Sequence, residues 1–196
     1  WSLSRSGALT ISGSGKMPDF SSVANAAPWD EQKDKIQSVV IESGVQSISG
    51  GAFSGCTALE KVSISDTVAQ IDLNAFDGCT ALAEFEVAAD NKAFSSDGGV
   101  LFSADKKLLR CPVGKAADCT VPSGTIAGGA FKDCAKLESL VIPDSVTAIG
   151  KSAFENCAAL KRITLPKSIT KLEALTFSGC ASLAEITLPD GLKALG

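Results

Sequence analysis

The chain has 196 residues, of which 45% are apolar, and its formal net charge is −4. This composition is typical of one folded globular or solenoid domain and excludes a disordered chain. Basic and acidic residues are mixed and form no basic stripe, which argues against nucleic acid and anionic membrane as partners. The sequence contains no histidine and no tyrosine. The commonest general base and the commonest neutral metal ligand are therefore missing.

No apolar run in the sequence approaches the roughly 18 residues that a membrane span requires. Trp1 opens directly into polar sequence. We therefore expect no signal peptide, anchor or inserted membrane segment within these residues. If the protein is exported, we expect that its export signal is not part of this sequence.

Residues 1–35 do not follow the repeat that begins at residue 36. Apolar and polar residues alternate on either side of Ser6-Gly7, which predicts a β-hairpin. Both tryptophans, Trp1 and Trp29, lie in this segment. Because the first coil of a repeat protein needs a cover, we interpret the segment as an N-terminal cap, with ligand binding by exposed aromatic side chains as the alternative.

Residues 36–196 repeat at an interval of 23 residues. The clearest unit is residues 137–160, LESLVIPDSVTAIGKSAFENCAAL. One apolar residue per unit falls in each of several columns, for example Ile36, Leu59, Leu82, Leu137, Leu160 and Leu183, and then Val39, Val62, Phe85, Leu140, Ile163 and Ile186. A period of about 20 to 50 residues is the signature of a stacked-repeat solenoid.

The clearest unit also predicts the local structure of each coil. Residues 139–142 alternate between buried and exposed positions, as a short strand with one buried face does. Pro143-Asp144-Ser145 is a turn sequence, and residues 146–149 form a second short extended segment. Residues 150–157 then place apolar side chains at helical spacing. We predict a parallel strand, a second extended segment and a short helical turn in every repeat.

The repeat is interrupted after Phe76. Residues 90–118 have no Ala-Phe turn at the 23-residue interval, where Gly98-Gly99 stands instead, and they carry apolar runs on either side of Ala104-Asp105-Lys106. This pattern predicts a hairpin with its turn there. We expect this irregular repeat, at about residues 88–124, to project from the solenoid. The regular pattern resumes at Val121-Pro122-Ser123.

The pattern LxxIxLPxSVxxIGxxAFxxC, which residues 137–157 and 160–180 approximate, resembles the 23-residue class of bacterial leucine-rich repeats in BspA-like surface proteins. The opening, with Trp1 and Pro28-Trp29, is similar to the capping segment that often precedes such repeats, and residues 99–112 are similar to their hairpin variant. The resemblance implies a leucine-rich-repeat solenoid, α/β or mainly β, with a right-handed, curved coil and an N-terminal β-hairpin cap. It also implies an exported or cell-surface protein with a role in adhesion.

Two cysteines depart from this family pattern. Cys111 and Cys119 stand where the family commonly has tyrosine. Their separation of eight residues across the predicted hairpin is compatible with two alternatives, a disulfide between them or two free thiols. The other cysteines occur once per coil, at Cys56, Cys79, Cys134, Cys157 and Cys180. Single cysteines at this spacing are not the paired ligands of a zinc site and predict buried thiols that pack as small apolar groups. We predict no metal and no cofactor.

The outward face of the predicted strands is the candidate binding surface, because repeat solenoids bind along such extended faces. The charged candidates on it are Lys61, Glu84, Glu86, Glu138, Lys161, Arg162 and Glu185. Aromatic residues and arginine usually contribute most of the binding energy of an interface. The face has no aromatic residue, so Arg162 is the one such residue on its strands. The alternative interpretation is a solvated polar face.

We predict a protein-binding, adhesin-like repeat module that acts through the strand face and the hairpin at residues 90–118. Its partner would be an extracellular host protein or a protein of a neighbouring cell. The alternative is a structural spacer with no specific ligand of its own. Without histidine, tyrosine or a convergent polar site, we expect no enzyme activity. Because the last unit stops at Gly196, before its Phe and Cys positions, we also expect weak self-association through an open C-terminal end.

Overall fold

The computed structural model describes residues 1–119, 121 and 123–196, which form two compact units, Trp1–Gly99 and Val100–Gly196. Pro122, which the repeat predicts as a turn residue, lies outside the described residues. The helices in the described part of the chain are short 3₁₀ helices, at Val23–Asn25, Asp30–Lys35, Leu73–Phe76 and Val113–Asp118. None of these is long and apolar enough to cross a membrane.

The first unit consists mainly of short strands. Its strands are β1 (Ser2–Leu3), β2 (Ala8–Ile11), β3 (Ser38–Ile41), β4 (Ser47–Ile48), β5 (Lys61–Ile64), β6 (Gln70–Ile71), β7 (Glu84–Val87) and β8 (Phe94–Asp97). β1 and β2 form the predicted antiparallel hairpin. β2, β3, β5 and β7 then pair in parallel, and β4 pairs in parallel with β6. Ser38 lies opposite Lys61, and Lys61 opposite Glu84, so neighbouring coils are offset by the predicted 23 residues.

The second unit repeats this arrangement. Its strands are β9 (Val100–Ser103), β10 (Leu108–Arg110), β11 (Gly124–Ile126), β12 (Ser139–Val141), β13 (Val146–Ile149), β14 (Arg162–Thr164), β15 (Lys171–Leu172), β16 (Glu185–Thr187) and β17 (Ala194–Leu195). β12, β14 and β16 pair in parallel. The second extended segments pair in parallel as β11 with β13 and β15 with β17. Both predicted strands of the coil are therefore confirmed, whereas its third side consists of tight turns and 3₁₀ helix.

The irregular segment forms the predicted hairpin but does not project. β9 and β10 are antiparallel, with the predicted turn at Ala104-Asp105-Lys106. β10 also pairs in parallel with β11, so the hairpin joins the sheet that β11 forms with β13. Val100, Leu101 and Leu108 are buried as a result. The expectation of a projecting hairpin is wrong, because the backbone of β10 completes a coil and its apolar side chains fill the interior.

Aromatic rings stack from coil to coil inside each unit. In the second unit, Phe154 stacks between Phe131 and Phe177, with ring centroids 5.1 and 5.4 Å apart. In the first unit, Phe53 stacks between Trp29 and Phe76, at 5.8 and 5.9 Å.

Trp29 takes the place of a repeat phenylalanine within residues 1–35. Its side chain is buried, and its indole Nε1 donates a hydrogen bond to the carbonyl of Ala52 at 2.7 Å. Trp29 therefore continues the first unit's aromatic stack, and the alternative of ligand binding through this ring does not hold. The limits of the predicted capping segment stay a prediction.

The repeat cysteines contribute hydrogen bonds as well as apolar volume. Three thiols each donate to the carbonyl of the phenylalanine 26 residues earlier at 3.1 Å: Cys79 to Phe53, Cys157 to Phe131 and Cys180 to Phe154. Cys180 is half-buried, and the other repeat cysteines are buried as predicted. A thiol at this position joins neighbouring coils, which alanine or valine could not do.

The residue before the Ala-Phe pair usually has a left-handed backbone. Gly51 and Gly129 occupy this position at φ 74° and 65°, whereas Leu175, before the variant pair Thr176-Phe177, has φ 60° and an exposed side chain. A left-handed leucine costs about 1 to 2 kcal/mol that glycine does not. We expect Leu175→Gly to raise the free energy of unfolding by about 1 kcal/mol in urea denaturation.

The matched control for this substitution is Ala174→Gly, which is not at a left-handed position. It should lower the free energy of unfolding by about 0.5 to 1 kcal/mol, because glycine only adds freedom to the unfolded chain there. An equal loss of stability in both variants would show that the backbone at Leu175 is not strained.

Candidate functional site

The candidate site is the outward face of the parallel strands. Side chains alternate along each strand, so the outward residues of strands held in register form rows across the sheet. The first strand face consists of Ser38, Val40, Lys61, Ser63, Glu84 and Glu86, on β3, β5 and β7. The second strand face consists of Ser139, Val141, Arg162, Thr164, Glu185 and Thr187, on β12, β14 and β16.

The charges of the first strand face pair with one another. Lys61 Nζ lies 3.5 Å from Glu84 Oε2 and 3.1 Å from Glu86 Oε2. Ser63 Oγ donates to the same Glu86 oxygen at 3.0 Å. Hydrogen bonds from Lys61 and then Ser63 lower the pKa of Glu86, and the hydrogen bond to Glu86 raises the pKa of Lys61. The structure thus brings three predicted site residues together in a network in which each charged group already has a partner of opposite charge.

The second strand face has a different character. Val141, the last residue of the edge strand β12, has 86% of its surface exposed. Arg162 lies in register with Ser139 on one side and Glu185 on the other, and its exposed side chain forms no ion pair with any described residue. An apolar side chain and an arginine therefore lie in adjacent rows on the same face.

Val141 is not among the site residues predicted from the sequence. The signal for it was available, since a β-branched apolar residue stands at an outward strand position. Its significance depends on its neighbours, which the charged candidates alone did not reveal.

The predicted site residues Glu138 and Lys161 lie immediately before strands β12 and β14. Lys161 Nζ and Glu138 Oε2 are 2.8 Å apart, and this hydrogen bond lowers the pKa of Glu138. Both side chains are about two-thirds exposed, and such ion pairs contribute little to stability. They form a polar border beside the second strand face.

The cysteines singled out by the sequence lie inside the second unit. Cys111 and Cys119 are buried as thiols, and the Cys134 thiol donates a hydrogen bond to the Cys111 carbonyl at 3.9 Å. A disulfide between Cys111 and Cys119 stays a prediction. Among residues 1–119, 121 and 123–196, no group of three or more cysteine or acidic side chains is arranged to hold a metal ion.

Aliphatic side chains of the last coil are exposed where those of earlier coils are buried. Leu195 is 72% exposed, whereas Leu172, its equivalent one repeat earlier, is 6% exposed. Ile186 and Leu188 show the same contrast with the preceding repeat. Self-association through this end stays a prediction, and these are the side chains that it would bury.

The repeat geometry is matched by a sequence family. The model of the BspA type leucine rich repeat region matches six copies, over residues 31–108 and 123–196. The chain belongs to the BspA-type leucine-rich-repeat family. The predicted leucine-rich-repeat solenoid is thereby confirmed. No curated protein sequence is significantly similar to this BspA-type chain.

Three solved structures are similar to the BspA-type chain. A leucine rich cell surface protein from Faecalibacterium prausnitzii is 30% identical to this chain, with a TM-score of 0.65. The match covers 82% of this chain and 50% of the Faecalibacterium protein. The pneumococcal vaccine antigen PcpA is 26% identical, with a TM-score of 0.69 over 83% and 47%. A leucine-rich repeat protein from Bacteroides ovatus is 25% identical, with a TM-score of 0.57 over 96% and 47%. The chain spans about half the length of these proteins.

Proposed function

We propose that the chain is a protein-binding, adhesin-like module of a bacterial cell-surface or secreted protein, and that it holds its partner on the second strand face without catalysis. The observation that carries this proposal is the exposed Val141 diagonally across from Arg162, which forms no ion pair within the described part of the chain, on a hydrogen-bonded sheet. The partner would be an extracellular host protein or a protein of a neighbouring cell.

The composition of the second strand face suits a protein interface. Stable interfaces have an apolar centre within a polar rim, and arginine is enriched among the residues that contribute most binding energy. Val141 supplies an exposed apolar side chain on the edge strand β12, and Thr164 and Thr187 continue its row across the face with small uncharged side chains. Because these side chains carry no charge, a partner can cover them without a large desolvation cost.

The first strand face is a weaker candidate. Its charged side chains already form ion pairs with one another, Lys61 with Glu84 and with Glu86. A protein partner would have to desolvate these paired charges before it gained new contacts. The hairpin that the sequence offered as a second contact region is largely interior, and its turn at Ala104-Asp105-Lys106 is the exposed part. We therefore place binding on the second strand face.

The proposed location rests on the relatives. One similar structure is that of a cell surface protein, and another is that of a vaccine antigen.

The alternative function is that of a structural spacer. The same repeats support it, because stacked coils can separate other domains without binding anything.

We expect saturable binding of the chain to immobilised host extracellular-matrix extract, measured by biolayer interferometry. Val141→Glu should weaken it at least about tenfold, because it replaces the exposed apolar side chain with a charge, and Arg162→Ala should weaken it by a similar factor. Lys193→Ala is the control, since it removes an exposed positive charge outside both strand faces. Equal affinity in all four proteins would contradict the proposed site, and no saturable binding would favour the spacer.

A further inference from the structure

An open groove runs along strands β4 and β6 on the surface of the first unit. Its volume is about 870 Å³, which lies within the range of roughly 300 to 1,000 Å³ that is usual for small-molecule sites. The lining residues come from the loop after β2, from β4, β6 and the turns that follow them, and from the start of β8. We call this feature the side groove, and its principal residues are Lys16, Asp19, Gly50, Gln70, Asp72 and Phe94.

The loop after β2 is fixed against the neighbouring coil by hydrogen bonds. The backbone N–H of Met17 donates to Ser47 Oγ at 2.9 Å, and Ser49 Oγ donates to the Met17 carbonyl at 2.6 Å. The N–H of Phe20 donates to the Gly50 carbonyl at 3.0 Å. This part of the side groove is therefore formed before any ligand arrives, which reduces the ordering cost of binding.

Phe94 is the aromatic residue of the side groove, and the side chain of Asn91 holds its backbone. Asn91 Oδ1 accepts from the Phe94 N–H at 2.8 Å, and Asn91 Nδ2 donates to the carbonyls of Ser65 and Val68 at 2.7 and 2.9 Å. Phe94 is partly exposed and, unlike the repeat phenylalanines, stacks on no other aromatic ring in the described part of the chain. Its ring therefore offers an apolar surface to a ligand in the groove.

Two carboxylates supply hydrogen-bond acceptors beside Gly50. A Cβ atom at Gly50 would lie 2.9 Å from Asp72 Oδ2 and 3.4 Å from Asp19 Oδ1, so the glycine leaves room between them. Asp72 Oδ1 accepts from the Asn74 N–H at 3.0 Å, which leaves Oδ2 for a ligand. The backbone N–H of Ser21 donates to Asp19 Oδ1 at 2.9 Å and lowers the pKa of that carboxyl. Both side chains are therefore oriented acceptors.

Lys16 and Gln70 supply hydrogen-bond donors on the same groove. Both side chains are exposed, and neither forms a hydrogen bond or an ion pair with a residue that the structure describes. The side groove thus combines acceptors, donors and one aromatic ring. An apolar ligand would leave its polar groups unpaired, and an anion would be repelled by Asp19 and Asp72.

We propose that the side groove binds a neutral oligosaccharide. Sugar hydroxyls would donate to Asp19 and Asp72, and Lys16 and Gln70 would donate to the sugar oxygens. The C–H face of one sugar ring would pack on Phe94, as apolar groups pack on aromatic rings. This site lies in the first unit and does not depend on the proposed protein-binding face of the second.

Saturation-transfer difference NMR on the whole chain tests this proposal with named probes. Maltotriose, cellotriose and triacetylchitotriose represent neutral oligosaccharides, and spermine represents the cationic ligands that two carboxylates could also attract. We expect transfer to the ring protons of at least one trisaccharide and none to spermine. Transfer to spermine alone, or to none of the four probes, would overturn the proposal.

Three variants locate the bound sugar, with the dissociation constant measured by NMR titration. Phe94→Leu keeps an apolar side chain but removes the ring, and Gln70→Ala removes an exposed donor, so each should raise the dissociation constant about fivefold. Gln37→Ala is the matched control, because it removes an exposed glutamine outside the side groove, and it should change nothing. Circular dichroism checks that each variant is folded. Equal affinity in all four proteins would place the sugar elsewhere and overturn the proposed site.

Discussion

Replacing Phe154 with alanine is expected to lower the free energy of unfolding by about 3 to 5 kcal/mol. The Phe154 side chain is fully buried and stacks against Phe131 and Phe177. Its removal loses the transfer free energy of the ring and leaves a cavity between two coils that cannot close without shifting both. Urea denaturation followed by circular dichroism measures the change.

The control for Phe154→Ala is Val141→Ala in the same unit. Val141 is 86% exposed, and exposed substitutions change stability by less than about 0.5 kcal/mol. If Phe154→Ala destabilised the chain no more than Val141→Ala does, the aromatic stack would not hold the coils together.

The second large effect is a loss of stability in alkaline solution. Burial raises the pKa of Cys56 to about 12 and also raises the pKa of Cys157, and contacts with two neighbouring thiols raise the pKa of Cys111. An unfolded cysteine has a pKa of about 8.5. Above that pH the unfolded chain loses thiol protons that the folded chain keeps.

The sign of this effect follows from proton linkage. The stabilisation from a buried thiol is complete below the unfolded pKa and is lost as pH rises towards the folded pKa. Each fully buried thiol should lower the free energy of unfolding by up to about 1.4 kcal/mol per pH unit above about pH 8.5. Urea denaturation under reducing conditions at several values between pH 7 and 10 measures this slope.

Cys157→Ala provides the control for the alkaline effect. It removes one buried thiol, and the slope should become shallower by up to about 1.4 kcal/mol per pH unit. A free energy of unfolding that stays level to pH 10 in both proteins would show that the repeat thiols ionise as readily in the fold as in the unfolded chain.

The coil could be predicted from the sequence because its determinants are local. Alternating residues within 139–142 indicate a strand, and Pro143-Asp144-Ser145 indicates its end. The 23-residue interval then sets the register, since Ser139 must lie opposite Arg162 if equivalent residues stack. The parallel pairing of β12, β14 and β16 has this register.

The irregular repeat could be predicted only in part, because its placement depends on distant partners. The hairpin turn was visible in the sequence, but the pairing of Leu108 with Ile126 was not. Cys111 precedes Phe131 by 20 residues instead of 23, so the repeat interval does not align them. The backbone N–H of Cys111 donates to the carbonyl of Ala130, as the N–H of Phe131 does to the carbonyl of Ala153, and this hydrogen bond reveals the equivalence.

The charged site residues show the limit of composition as a guide to binding. Lys61, Glu84 and Glu86 were predicted as binding residues because they are charged and outward-facing. Their side chains instead pair across neighbouring strands. Whether a charge is available to a partner depends on distances of 3 to 4 Å between side chains, which the order of residues does not specify.

Site-specific photocrosslinking tests most directly the claim that the repeats support a binding face on β12, β14 and β16. A photoreactive phenylalanine derivative would replace Val141 in one sample and Lys193 in another, and each chain would be irradiated on host extracellular-matrix extract. We predict a discrete protein adduct from position 141, reduced by excess unlabelled chain, and none from position 193. Adducts from position 193 alone, or from neither position under conditions of saturable binding, would contradict the account.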